Sequence, residues 1–202
     1  MNKIRMIVAA AALATVGMSA VAAEGPWLVR ARAVHLDSAN KDSTGLDLSI
    51  NDKWLPEVDF TYFVTPNIAA ELILTYPQKQ TLSSAGTSIG TLKHLPPTLT
   101  VQYHFLPTGT IRPYVGAGVN YTRFSSVHFN PAVQAALDPS IDKNSWGLAA
   151  QAGVDFLVAP NVFINLDVKK VQISTDVKSA GTKVGEFKVN PWLVGLGVGY
   201  RF

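Results

Sequence analysis

The chain has 202 residues, no cysteine and 15% charged residues, which suits one domain and is enough to bury a core or close a barrel. The low charge fraction argues against a disordered tail or a coiled coil. The lack of cysteine excludes a disulfide scaffold, a CxxC redox site and a cysteine-ligated zinc.

The formal net charge of +3 raises nucleic acid as a partner only if the charge belongs to the working chain. Lys3 and Arg5 precede an apolar run from Met6 through Val16, and the small residues Ser19 to Ala23 end it before Glu24. A basic start, an Ala-rich apolar stretch and an A-x-A-like end describe a secretory signal peptide over residues 1–23, with the mature barrel over 24–202. No stop-transfer charges follow, which favours a cleaved leader over a membrane helix. Cleavage takes Lys3 and Arg5 away with no acidic residue, so +3 becomes +1 and nucleic acid drops out.

Apolar residues after the leader recur at every second position, the signature of strands. The first run sets Trp27, Val29, Ala31 and Ala33 against Arg30 and Arg32; the second sets Val58, Phe60 and Tyr62 against Glu57, Asp59 and Thr61. Runs from Ile68 to Tyr76, Leu95 to Phe105, Ile111 to Tyr121 and Trp146 to Phe156 follow. The last two, Val162 to Val168 and Trp192 to Phe202, set Asn165, Asp167, Lys169 and glycines against their apolar faces. Eight strands of this length suit tilted membrane strands. Thr65–Asn67, Leu106–Thr110 and Ala159–Asn161 read as tight turns, whereas 37–52, 77–92, 125–142 and 174–186 read as long polar loops. Within the third loop, 131–138 suits one or two helical turns. The pattern predicts an all-β fold: an antiparallel up-and-down transmembrane barrel with short periplasmic turns, long extracellular loops and both termini in the periplasm.

A soluble lipocalin-type barrel alternates in the same way. Aromatics near strand ends, among them Trp27, Trp54, Tyr62, Trp146 and Tyr200, favour a membrane girdle. Gly-rich and charged opposite faces suit a narrow wet lumen, and the chain closes on an alternating strand at Phe202.

Several motifs in order, His94–Leu99, Arg112–Thr122, Ser145–Gly147, Gly153–Phe156 and Asn190–Phe202, resemble the OmpW family of bacterial outer-membrane proteins. The resemblance covers essentially the whole mature chain, although the long loops carry no motif of the family. It implies an eight-stranded barrel in a Gram-negative outer membrane, contact with outer-membrane lipid, and a terminal Phe202 read by the barrel-assembly machinery. It also implies a narrow apolar passage for small hydrophobic solutes.

Strand directions give each inward residue a height. Arg30, Arg32, Glu57, Asp59, Glu71, Arg112, Asp155 and Asp167 are expected to form a lumen charge plug. Glu57 and Asp59 share one face opposite the arginine strand, so ion pairing fits them better than acid–base chemistry. Above them, Leu55, Ile73, Pro96, Ala149, Val171, Ile173, Val189 and Leu193 are expected to line an apolar upper lumen. A hydrophobic solute crosses a charged floor only at high cost, so a sideways exit into the bilayer costs less. Pro96 and Pro97, both without N–H, mark the expected lateral opening between the third and fourth strands; a simple bulge is the alternative.

Trp54 and Trp146 read as girdle rather than gate. His35, His94 and His128 lack the spacing and company of metal ligands. The GxSxG match at Gly86–Gly90 lies in a Ser/Gly/Thr loop rather than a strand-to-helix elbow. No cofactor, metal or catalytic residue is expected. The leading reading is a channel for small hydrophobic molecules; the alternatives are a barrel enzyme acting on lipid and a structural or adhesive barrel acting through its loops.

Overall fold

Alternation of apolar and polar residues makes a strand with two unlike faces, and such strands lie side by side with like faces together. The computed structural model describes residues 24–202; the expected leader lies outside the described residues. In chain order the elements are β1 (Trp27–Asp37), β2 (Lys41–Asp42), β3 (Leu48–Ile50), β4 (Lys53–Phe63), β5 (Ile68–Leu74), β6 (Gln78–Ser84), β7 (Thr87–Leu95) and β8 (Thr98–His104). They continue with β9 (Ile111–Phe129), α1 (Pro131–Leu137), β10 (Pro139–Ile141), β11 (Asn144–Ala159), β12 (Val162–Val171), β13 (Ser174–Ser179), β14 (Thr182–Lys188) and β15 (Trp192–Arg201).

The wall runs β11-β12-β15-β1-β4-β5-β8-β9, and pairing of β9 with β11 closes it into an eight-stranded antiparallel barrel. Closure gives every one of the eight strands a partner on both sides, the condition for crossing lipid with strands. The first strand meets the last in register, Leu28 opposite Arg201 through Asp37 opposite Trp192. Both termini and the short turns therefore lie at one end, and the long connections at the other.

Outward positions are apolar and exposed, for example Phe60, Leu72, Val101, Leu148, Leu166 and Val198. Trp54, Tyr76, Trp146 and Trp192 ring the loop end of this band, and Trp27, Tyr62, Tyr103 and Tyr200 the terminal end. Trp54 and Tyr62 are eight residues apart on β4, about 26 Å along a strand and about 20 Å after tilting. That is somewhat less than the apolar band of roughly 25 Å typical of outer-membrane barrels, and bacterial outer membranes are thinner than average. The girdle expected from the aromatics is present.

Long side chains need room in so narrow a lumen, and glycine supplies it across the strand pair. Arg30 lies opposite Gly199 and Arg32 opposite Gly197, and a Cβ at Gly197 would strike the Ala31 carbonyl and the Arg32 side chain. A Cβ at Gly153 would likewise strike the Tyr114 hydroxyl.

The long connections are more ordered than polar composition suggests. Residues read as a loop over 77–92 form the β6–β7 hairpin, which pairs through β7 with the outer end of β9. β9 itself runs on to Phe129. A second small sheet, β10-β13-β14-β2, stands over the barrel mouth. The helical turns expected near 131–138 are α1. Leu48, Leu82, Leu92, Phe124, Val177 and Phe187 bring these parts together around an apolar cluster beyond the barrel.

Gly153→Ala is expected to displace Tyr114 and cost about 1–3 kcal/mol, the usual penalty for overpacking. Urea unfolding in detergent micelles, followed by the gel shift between folded and heated protein, measures it.

Candidate functional site: a charged floor beneath an apolar chamber

Burying a guanidinium is tolerable only when carboxylates and neutral donors surround it. Arg30 is fully buried and meets Asp155 through Nε at 3.1 Å and Nη2 at 2.7 Å, Asp59 at 3.0 Å and Glu71 at 3.2 Å. Arg32 pairs with Glu57, Asp59 and Glu71, each at 2.9 Å. Lys169 joins them, with Nζ 2.7 Å from both Glu57 and Asp167.

Three cations thus face five carboxylates, and neutral donors meet the excess. Gln151 and Thr100 donate to Glu71, Tyr114 donates to Asp167 at 2.8 Å, and Asn165 donates to Asp155 at 2.8 Å. Arg30 also lies over the Tyr114 ring.

Seven of the eight residues expected in the plug converge here; Arg112 does not. It sits nearer the terminal end, where Nη2 meets Glu24 at 2.6 Å and Nε donates to the Gly109 carbonyl at 2.7 Å. Arg201 shares Glu24 at 3.1 Å and stacks on Phe63. The reason is height: Arg112 is one of the first residues of β9, too low to reach Asp59 or Glu71. Sequence reasoning also missed residues of the floor and of the low corner beneath it. Glu24 precedes the first strand and carries no alternation signal, and Lys169 read only as a polar-face residue. Tyr114 was hidden in a run whose inner face otherwise reads as Arg112, Gly116, Gly118 and Asn120. Its position two residues after Arg112 was the available signal.

Directly above the floor lies a cavity of about 30 Å³, bounded below by Glu57 and Lys169. Of the residues expected in the upper lumen, Leu55, Ile73, Pro96, Val171, Ile173 and Leu193 line it. Ala149, opposite Val171 and Gly118 in the wall, and Val189 do not line it but belong with Val171 and Ile173 to one buried apolar cluster that continues outward. A second apolar cavity of about 40 Å³ lies within that outer cluster, among Leu48, Leu82, Leu92, Val177 and Phe187.

The wall is interrupted beside the first cavity. β5–β8 pairing ends at Ile73 opposite Thr98, and the β6–β7 hairpin starts at Gln78 opposite His94. Thr75–Pro77 and Pro96–Pro97 fall between, where Pro77, Pro96 and Pro97 have no N–H to give. On its other flank the strand stays joined, since the Tyr121 N–H donates to the Pro97 carbonyl at 3.1 Å. Leu74, which faces outward, and Thr75 both belong to the cavity lining, so the cavity reaches this break.

The remaining candidates lie apart from one another. His35 packs on Trp54 outside the wall, His94 faces inward toward Phe124, and His128 is exposed beyond β9's barrel portion. Among the described residues no three His, Asp or Glu side chains are grouped to hold a metal. Gly86–Gly90 forms the turn and first residues of the β6–β7 hairpin, a strand–turn–strand context without the elbow a nucleophile needs. Phe202 donates its N–H to the Trp27 carbonyl at 2.8 Å and exposes its ring on the terminal girdle.

The sequence model of the OmpW family matches residues 23–202. The chain belongs to the OmpW family. It is 40% identical over 187 residues to an uncharacterized outer-membrane protein, y4mB, of Sinorhizobium fredii, covering 88% of this chain and 80% of that one. It is 36% identical to outer membrane protein W of Vibrio cholerae, covering 89% of each. A more distant relative, at 26% over 90% of each chain, is the dibenzothiophene metabolism operon protein PahQ of Pseudomonas aeruginosa. Among solved structures, the outer membrane protein OprG of P. aeruginosa superposes with a TM-score of 0.78 at 23% identity, covering 90% of this chain and 98% of that one. An OmpW-family outer-membrane barrel is therefore what carries the floor, the chamber and the break.

Arg30→Met is expected to leave Asp155, Asp59 and Glu71 without their cation and to cost about 3–5 kcal/mol. Equilibrium unfolding in micelles reads it. Glu24 gives a pH signature, because the hydrogen bond from Arg112 holds its carboxyl below the ordinary value of 4.5. The stabilisation is full above that value, shrinks as pH falls below it, and is gone beneath the lowered folded value. Wild type and Glu24→Gln should thus differ in stability at pH 7 and converge in acid, as unfolding at a series of pH values would show.

Proposed function

We propose that the barrel is a channel for small hydrophobic molecules, which enter from the loop end, pass the apolar chambers and leave sideways into the bilayer. The observation that carries this reading is the apolar cavity resting on a sealed floor and reaching a break in the wall. The cavity has room for a water or two, so a solute enters by parting its apolar walls, and is then favoured there by roughly 25 cal/mol for each Å² it removes from water. The floor opposes its further descent, because the ion pairs there would have to part. The break between Thr75–Pro77 and Pro96–Pro97 is the remaining way out. The name of the relative PahQ, which refers to dibenzothiophene metabolism, is in keeping with an apolar cargo.

In this reading Leu55, Ile73, Pro96, Val171, Ile173 and Leu193 form the passage next to the exit, and Ala149, opposite Val171, adds to its wall. The buried ionic layer is the plug that turns the solute aside. The termini and short turns face the periplasm, the long connections face outward, residues 1–23 are removed on export, and Phe202 is the signal to the assembly machinery. Short turns and both termini at one end support that orientation.

Replacing Pro96 and Pro97 by Ala and Val restores the N–H groups that a continuous ladder needs. Uptake of n-octane by whole cells is expected to fall several-fold while the barrel still folds. Unchanged uptake by a folded variant would overturn the sideways exit.

A further inference from the structure

Both chambers are apolar, yet polar side chains stand at the step between them. Gln78 and His94, opposite each other in the β6–β7 hairpin, line the chamber nearer the floor. Gln80 follows on the same face, and its register partner Leu92 lines the outer chamber, as does Leu82 two residues further on. Gln78, Gln80 and His94 are each no more than 2% exposed.

Buried polar atoms are nearly always paired, so unpaired ones call for an explanation. Four lie together here without a hydrogen-bond partner: Gln78 Oε1, Gln80 Oε1, Gln80 Nε2 and His94 Nε2. The Gln78 amide is oriented by its neighbours, since Nε2 donates to the Tyr76 carbonyl at 2.9 Å and to Thr75 Oγ1 at 3.3 Å. Its oxygen is therefore the atom left over. The Gln80 amide has neither end engaged, so turning it over changes nothing. The leftover set contains acceptors, the two amide oxygens, and a donor, the Gln80 nitrogen.

We propose that Gln78, Gln80 and His94 form a hydrogen-bonding station at the step between the two cavities, and that the solute it serves is amphipathic, an apolar body bearing a hydroxyl group. A hydroxyl both donates and accepts, so it can give its proton to an amide oxygen while accepting from Gln80 Nε2. A ketone or ester only accepts and would leave both oxygens unmet. A plain hydrocarbon would leave every atom of the station unmet, and a site built to pair a hydroxyl discriminates against the analogue that lacks it. The station thus selects alcohols and phenols over hydrocarbons of the same skeleton. Its position next to Thr75 and Tyr76 hands the polar end of the solute to the break in the wall. This inference rests on the channel reading and narrows its substrate class.

The test compares n-octane with 1-octanol, and naphthalene with 2-naphthol, in uptake by cells carrying the full chain or its Gln80→Leu variant. Gln80 makes no hydrogen bond through its side chain, so the variant is expected to fold, which the heat-dependent gel shift verifies. Uptake of 1-octanol and 2-naphthol should fall about tenfold, the worth of one such hydrogen bond, with the hydrocarbons unchanged or faster. Equal effects on both members of each pair, or none on either, overturn the station and leave the channel standing. Uptake of all four solutes no faster than in cells lacking the chain overturns the channel reading and the station with it. As a second readout, the side-chain amide resonances of Gln78 and Gln80 in micelles should shift with 1-octanol and not with n-octane; shifts of the same size with both overturn the station.

Discussion

Two arginines two residues apart on one strand organise this barrel. Arg30 and Arg32 project from β1 into the lumen, and among the described residues β1 is hydrogen-bonded along its length only to β4 and β15. Yet Arg30 reaches Glu71 on β5 and Asp155 on β11, and Arg32 reaches Glu71. The ladder joins each strand to its neighbours, whereas these guanidiniums tie strands across the lumen. Charges removed from water are costly until their partners arrive, and the partners arrive together only when the cylinder closes. The network therefore rewards the closed barrel over any open sheet with the same local pairings.

The floor also sets what the rest of the lumen can be. Its side chains fill the width of an eight-stranded barrel, with glycines on β15 giving way to the arginine stems and Gly153 to Tyr114. Around the low corner formed by Arg112, Arg201 and Glu24, the remaining gap between Leu28, Phe63 and Phe163 has no room for a water molecule. The cavity above rests on this layer, with Glu57 and Lys169 as its lower boundary. Apolar walls, a break beside them and a polar step are the features that the proposed passage presents to a solute.

Much of this was legible in the residues. Period-two alternation marked all eight wall strands, assigned Arg30, Asp59, Glu71 and Asp167 to the lumen, and separated an apolar upper lumen from a charged lower one. Pro96 and Pro97 marked the place where β8 loses its partner. The β6–β7 hairpin was not legible, because Gln78, Gln80 and His94 share its inner face with only Leu82 and Leu92, and alternation of polar with polar is silent. Arg112 was assigned to the wrong company, since a face and an approximate height do not specify which carboxylate a long side chain meets. Glu24 and Tyr114 entered the site through contacts between segments distant in sequence.

By itself the sequence determined which residues face lipid and which face inward, because a strand has only two sides and the solvents on them differ. It also determined that the wall has eight members, since each carries its own alternating run between turns. Only the tertiary structure decided how the inward residues pair, where the charged layer ends, and that polar atoms remain unmatched between the two chambers. Those outcomes depend on the stagger between strands and on distances across the lumen, which arise when the barrel closes and are written in no single strand.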